Sequence, residues 1–180
     1  IVSNLIKYHF TNQQKLDDIR GILYKKNNQW IKTDFKSWDN NLDSLIFPDR
    51  KLMNNNLYVR PDTGELQATV TTSRGCSASC IYCLTPTISG KKIRLRSPEN
   101  IFKELEECYF KHNIRNFFFK SDTFTIDKQW VLELCDHIEH SKLNGKIEWV
   151  ANSRVKPIEK ETLTAMKKVG CWLVAFGFES

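Results

Sequence analysis

The chain has 180 residues, 41% hydrophobic and 27% charged, and a formal net charge of +6. That length suits one domain and part of a second, with an ordinary globular composition and enough apolar residues for a core. No apolar run approaches the roughly 20 residues that a helix needs to cross a bilayer, and the positive charge raises affinity for anionic surfaces without bearing on the fold.

The first residue is Ile1, and no basic segment followed by an apolar stretch and a small-residue cleavage site opens the chain. The expectation is a segment that begins inside a longer, cytoplasmic protein. Residues 1–60 are rich in Asn, Lys and Asp and weakly periodic. Within them Gly21-Ile22-Leu23-Tyr24 reads as a short strand followed by a turn at Lys26-Asn27-Asn28, and Pro48 and Pro61 punctuate the rest. The stretch reads as a connector or the tail of a preceding domain. From Gln67 the pattern changes. Residues 68–72 (ATVTT) are β-branched and short, a strand signal. Ser97 offers an N-cap with Pro98 at the first helical position, and Ile101, Phe102, Leu105, Cys108 and Tyr109 then recur at helical spacing. Residues 114–119 (IRNFFF) read as a second strand. Asp127 can cap a helix whose apolar face is Val131, Leu134, Cys135 and Ile138. Residues 147–151 (IEWVA) read as a third strand. Leu163, Met166 and Val169 mark a third helix stopped at Gly170, and 172–176 (WLVAF) read as a fourth strand.

The sum over 61–180 is βαβαβαβ. Strands alternating with helices imply an α/β fold with a parallel sheet and right-handed crossovers. The loops after the strands then share one edge, where such sheets and barrels place ligands. Those loops carry Cys76, Cys80 and Cys83; Ser121, Asp122 and Thr123; Asn152, Ser153 and Arg154; and Gly177, Glu179 and Ser180. The basic run Lys91-Lys92-Ile93-Arg94-Leu95-Arg96 reads as a solvated loop entering a helix, with contact to an anionic substrate or RNA as the alternative.

Of six cysteines, Cys108, Cys135 and Cys171 sit in apolar patterns and read as small core residues. The other three form C-x3-C-x2-C. Thiolates suit zinc or iron–sulfur clusters. A structural zinc site is normally closed by four ligands, and no fourth Cys or His lies nearby. Three ligands on one loop fit a cubane cluster with one iron left open. His137 and His140 stand at i, i+3, a spacing that permits a metal but more ordinarily marks a solvated helix face.

The segment TTSRGCSASCIYC, after the first strand of a βα series, resembles the radical S-adenosylmethionine (SAM) superfamily. The resemblance continues through RSPENIFKELEEC, FFFKSDTFTIDK, ANSRVKPIEKETLTAMKKVGC and FGFES, and in that order is similar to the subgroup whose N-terminal domain binds cobalamin. LDSLIFPDRKL resembles the segment joining that domain to the radical core. The resemblance implies an incomplete parallel (β/α) barrel: the first four strands of a six-stranded core at 61–180, preceded by a connector or cobalamin-domain tail at 1–60. There are departures. Ser-Ala-Ser follows Cys76 where the subgroup often carries Pro, Ser121-Asp122 has one acid where a pair is common, and the cobalamin-contacting His motif is absent.

The resemblance also implies the chemistry. Cys76, Cys80 and Cys83 hold three irons of a 4Fe–4S cluster, and SAM binds the fourth. One electron from a low-potential donor, such as flavodoxin or ferredoxin, breaks a carbon–sulfur bond and yields methionine and a 5′-deoxyadenosyl radical. Tyr82 would lie against the adenine; otherwise it is a core aromatic. Ser121, Asp122 and Thr123 would take the methionine ammonium; otherwise they cap the helix near Asp127. Asn152, Arg154 and Glu179 would hold carboxylate and ribose; otherwise they are rim residues. The expected outcome is methyl transfer or oxidative cyclisation on an unknown substrate, with cobalamin supplied, if at all, by a domain outside this chain. RNA modification and a non-enzymatic zinc or redox module are the alternatives. Nucleic acid is allowed by the charge but not favoured, since methylthio-transferring RNA enzymes carry extra N-terminal cysteines and none precedes Cys76.

Overall fold

The structure is a computed structural model and describes every residue except 12–14, 36–37, 157 and 178–180. It contains two compact units, residues 1–39 and 40–180. The first holds helix α1 (Val2–Thr11) and an antiparallel hairpin of β1 (Leu23–Lys26) and β2 (Gln29–Lys32). Asn27 and Asn28 both have positive φ, 49° and 64°, as a two-residue turn matching the strand twist requires. The turn stands where the sequence places it. The strand starts two residues later than expected, and its partner β2 carries too little alternation to be read in advance.

The second unit holds β3 (Gln67–Thr71), β4 (Ser73–Arg74), α2 (Thr85–Ile88), β5 (Arg94–Leu95), α3 (Pro98–His112), β6 (Asn116–Lys120), α4 (Lys128–Glu139), β7 (Glu148–Arg154), α5 (Lys160–Lys168) and β8 (Cys171–Gly177). β3, β6, β7 and β8 form one parallel sheet in that order. Each strand lies beside its predecessor with a helix between. Doubly wound sheets reverse their strand order, whereas a (β/α) barrel does not, so this is an arc of a barrel.

Local signals explain the elements. The Ser97 side chain accepts from the Asn100 N–H and Pro98 opens α3, while Asn113 (φ 54°) ends it. The Asp127 carboxylate accepts from the Trp130 N–H at the start of α4. Ile101, Leu105 and Cys108 of α3 and Val131, Leu134, Cys135 and Ile138 of α4 are buried against the sheet. Phe119 stacks on Trp149 with ring centroids 4.5 Å apart, and Phe124 packs beside both. Cys108, Cys135 and Cys171 belong to this core. Burial pushes their thiols up to about 11, 12 and 12, which leaves them inert.

Residues 40–60 pack within the second unit rather than with the first. Arg50 and Arg96 both donate to the buried carboxylate of Glu104, at 2.8 and 2.6 Å. Each also donates to a carbonyl of the outer strand β3, Arg50 to Thr69 and Arg96 to Thr71. One expectation is therefore corrected. Of the basic run, Lys91 and Lys92 are exposed, but Arg94 and Arg96 are only 6% and 7% exposed. The guanidinium groups are turned inward because carboxylate and carbonyl acceptors wait there, so they are not part of a solvated loop.

Candidate functional site

The loops after the parallel strands meet at one rim, and the longest of them carries the cysteine motif. It is closed at its base by the two-residue pairing of β4 with β5, Ser73 opposite Leu95 and Arg74 opposite Arg94. Gly75 follows at φ 94°. A Cβ there would stand 2.2 Å from the Lys92 carbonyl oxygen and 3.1 Å from that of Gly90, so the two sides of the neck can approach only at a glycine. The Cys76 N–H then donates to the Gly90 carbonyl at 3.2 Å. Arg94 donates to the Ser89 carbonyl just beyond α2. The Cys83 N–H bonds back to the Cys80 carbonyl, and the Thr85 N–H reaches the Cys83 sulfur at 3.4 Å.

All three loop cysteines are half-buried and outside any disulfide, and all three line one cavity of about 320 Å³. The opposite wall comes from the ends of β6, β7 and β8. Asp122 and Thr123 follow β6; Asn152 and Arg154 end β7. The Asp122 carboxylate accepts from the Thr85 hydroxyl at 3.1 Å, which ties the second rim loop to the cysteine loop. The Arg154 guanidinium donates to the Cys80 sulfur at 3.4 Å. That contact with Cys80 raises the Arg154 pKa above its ordinary value.

Of the residues expected here, Tyr82, Asp122, Thr123, Asn152 and Arg154 reach the cavity wall. Tyr82 is 62% exposed, so it is not a core aromatic. Ser121 is buried, off the wall, with its hydroxyl lacking a hydrogen-bond partner. Glu179 lies outside the described residues. The helix-cap alternative for 121–123 does not hold, because Asp127 is the cap. His137 stacks on Phe102, and His140 pairs with Asp136 on its own helix. Ser153, named with the third loop, lines the cavity too, and Thr85, Pro86 and Ala175 do so without having been singled out. Thr85, two residues beyond the last cysteine, was within reach of the motif's own logic.

The donor set suits a cluster better than a single ion. Among the described residues no group of three or more His, Cys, Asp or Glu converges on one metal ion. A cubane instead takes its thiolates one per iron, spread across a cluster face. Three thiols on one wall, facing a rim with a carboxylate and a guanidinium, fit it with space left over. A larger cavity, about 560 Å³, lies between α5 and β8, lined by Leu163, Met166 and Trp172 among others. It offers one cysteine, Cys171, whose thiol burial holds protonated, and one carboxylate, Glu148, already paired with Arg60, so chemistry rather than size picks out the site.

Residues 70–180 match the Radical SAM superfamily. The chain belongs to the radical SAM superfamily. Members of this superfamily use a 4Fe–4S cluster and SAM. The chain is 32% identical, over 93% of its length and 36% of the relative's, to an uncharacterized methyltransferase of Pyrococcus horikoshii. It is 23% identical, over its whole length and 30% of the relative's, to the anaerobic magnesium-protoporphyrin IX monomethyl ester cyclase of Cereibacter sphaeroides. The fold is similar, with a TM-score of 0.67 at 18% identity, to OxsB, a cobalamin-dependent SAM radical enzyme solved with aqua-cobalamin and SAM bound. That likeness covers 99% of this chain and 26% of OxsB. The chain thus spans about a third of the length of the curated relatives it matches. No helix among the described residues is long and apolar enough to cross a membrane.

Proposed function

We propose that the full-length protein is a cytoplasmic radical SAM enzyme that reductively cleaves SAM to begin a methyl transfer or an oxidative cyclisation. The observation that carries this is the placing of Cys76, Cys80 and Cys83 on one wall of a cavity whose other wall bears Asp122, Asn152 and Arg154. In this reading the three thiolates hold a 4Fe–4S cluster, which supplies the electron that breaks the carbon–sulfur bond of SAM. Every other role falls to the rim. Asp122 takes the methionine ammonium through a charge-assisted bond, and Thr85 fixes that carboxylate in place. Tyr82 lies along the adenine. Asn152, Arg154 and Glu179 orient the carboxylate and ribose. Ser121, buried and next to Asp122 in the chain, offers a hydroxyl with no hydrogen-bond partner among the described residues. The half-buried loop limits the water that reaches the thiolates, and burial and hydrogen bonding to sulfur tune such a cluster. Arg154 donates to the Cys80 sulfur and the Thr85 N–H to the Cys83 sulfur.

The relatives' names support both outcomes, a methyltransferase and a cyclase, and OxsB supports cobalamin in a neighbouring domain. The electron donor is a flavodoxin or ferredoxin. The test is anaerobic reconstitution of the full-length protein followed by dithionite reduction with SAM. The expected products are methionine and 5′-deoxyadenosine, or S-adenosylhomocysteine if methyl transfer dominates. A protein that takes up zinc, excludes iron and leaves SAM intact would sink the proposal.

A further inference from the structure

Beside the main cavity lies a smaller one, of about 150 Å³. The two share a wall made by Cys76, Ala78, Thr123 and Arg154. The smaller one adds Ser73, Ser77 and Lys156. Its charge differs from its neighbour's. The larger cavity contains Asp122 beside Arg154. Among the described residues, the smaller is lined by Arg154 and Lys156 and by no Asp or Glu. Lys156 has no hydrogen bond or ion pair to any described residue. Two cations facing one small space repel each other, and an anion between them would relieve that repulsion. The hydroxyl residues around them, with Ser73 and Thr123 buried, add donors of the kind that charged oxygens accept. The space suits a carboxylate or phosphate group and is too small for a nucleoside.

We propose that this second chamber is an anion subsite, in which Lys156 and Arg154 bind a carboxylate or phosphate held next to Cys76. The proposal rests on the cluster-and-SAM reading of the larger cavity and extends it. The anion is an acidic group of the substrate, because the carboxylate of SAM is already placed in the larger cavity.

The experiment uses the full-length protein, reconstituted anaerobically, with iron content measured first. Equilibrium binding is compared between wild type, Lys156→Gln and Lys156→Arg for three probes: SAM, decarboxylated SAM and inorganic phosphate. Charge-assisted bonds of this kind are worth about 10-fold in affinity when one is lost. Lys156→Gln should weaken phosphate about 10-fold and leave SAM and decarboxylated SAM unchanged, and Lys156→Arg should restore most of the loss. Unchanged affinity for phosphate overturns the subsite. So does a loss seen with SAM but not with decarboxylated SAM, which would make the chamber part of the cofactor's own carboxylate site, and so does equal weakening of SAM and decarboxylated SAM. A wild type that holds no iron defeats the reading of the larger cavity, while the phosphate measurement still decides the smaller.

Discussion

The two ends of the parallel sheet are built in opposite ways. At the N-terminal ends of the strands polar groups consume one another. Arg60, 6% exposed, donates to Asn116 at the start of β6, to Glu148 at the start of β7 and to Asp62. Its guanidinium lies 4.4 Å from the ring of Trp172 on β8, and Asn116 donates in turn to Glu65. At the C-terminal ends the polar groups are left for something else. The three thiols form no disulfide, the Ser121 hydroxyl is buried with no hydrogen-bond partner among the described residues, and Arg154 donates to a sulfur rather than to a carboxylate. Buried polar groups are normally satisfied. A rim that leaves them open is one that a ligand completes, whereas the closed rim contributes stability. The difference separates residues that hold the barrel arc together from residues that act.

The sharpest test of that division is the cysteine set. Cys76→Ala, Cys80→Ala and Cys83→Ala should each reduce iron uptake from about four per chain to almost none, because too few ligands remain. The same change at Cys108, Cys135 or Cys171 should leave iron and visible spectrum intact. Iron analysis after anaerobic reconstitution decides this, and a core cysteine variant that loses its cluster would break the division.

Next in size is the buried pair below the rim. Glu104→Ala strands two guanidinium groups, Arg50 and Arg96, in the interior and should cost about 3–5 kcal/mol. Denaturant titration measures it, and a cost under about 1 kcal/mol would mean that water reaches both arginines. On the open rim the effect should fall on ligands instead. Asp122→Asn should weaken SAM binding by about 10-fold with iron content and unfolding midpoint unchanged. Unaltered affinity would leave Asp122 as no more than the partner of Thr85.

The smallest contrast lies between the two edge strands. β3 has carbonyls capped by Arg50 and Arg96, whereas β8 has Trp172 and Leu173 nearly half exposed. Such an edge is an unguarded one. Amides across 172–176 should exchange faster than those across 68–72, and equal protection in a soluble monomer would show that β8 folds unaided.

Much of this was legible in the chain. The switch to alternating strand and helix signals after Gln67 is carried by β-branched runs and by caps at Ser97 and Asp127, all local features. The cysteine spacing is likewise local. What escaped depends on distant partners. Arg94 and Arg96 read as solvated because a guanidinium is expensive to bury alone, and nothing in the run announces that Glu104 and the Thr71 carbonyl of β3 will meet Arg96 inside. Arg60 was invisible for the same reason, since its partners at Asn116 and Glu148 are brought to it by the sheet. Lys156 carried no signal, because only the folding of three rim loops creates the chamber beside it.

The neck at Gly75 sets unequal terms for change along the cysteine loop. Because a carbonyl occupies the place where any side chain would begin, position 75 has no acceptable neighbour in sequence space. The residues between the cysteines, Ser77, Ala78 and Ser79, are under no such constraint from the backbone. Substitution there can re-shape the chambers on either side while the loop stays anchored. Anyone altering what this rim accepts has freedom at 77–79 and none at the hinge that holds them.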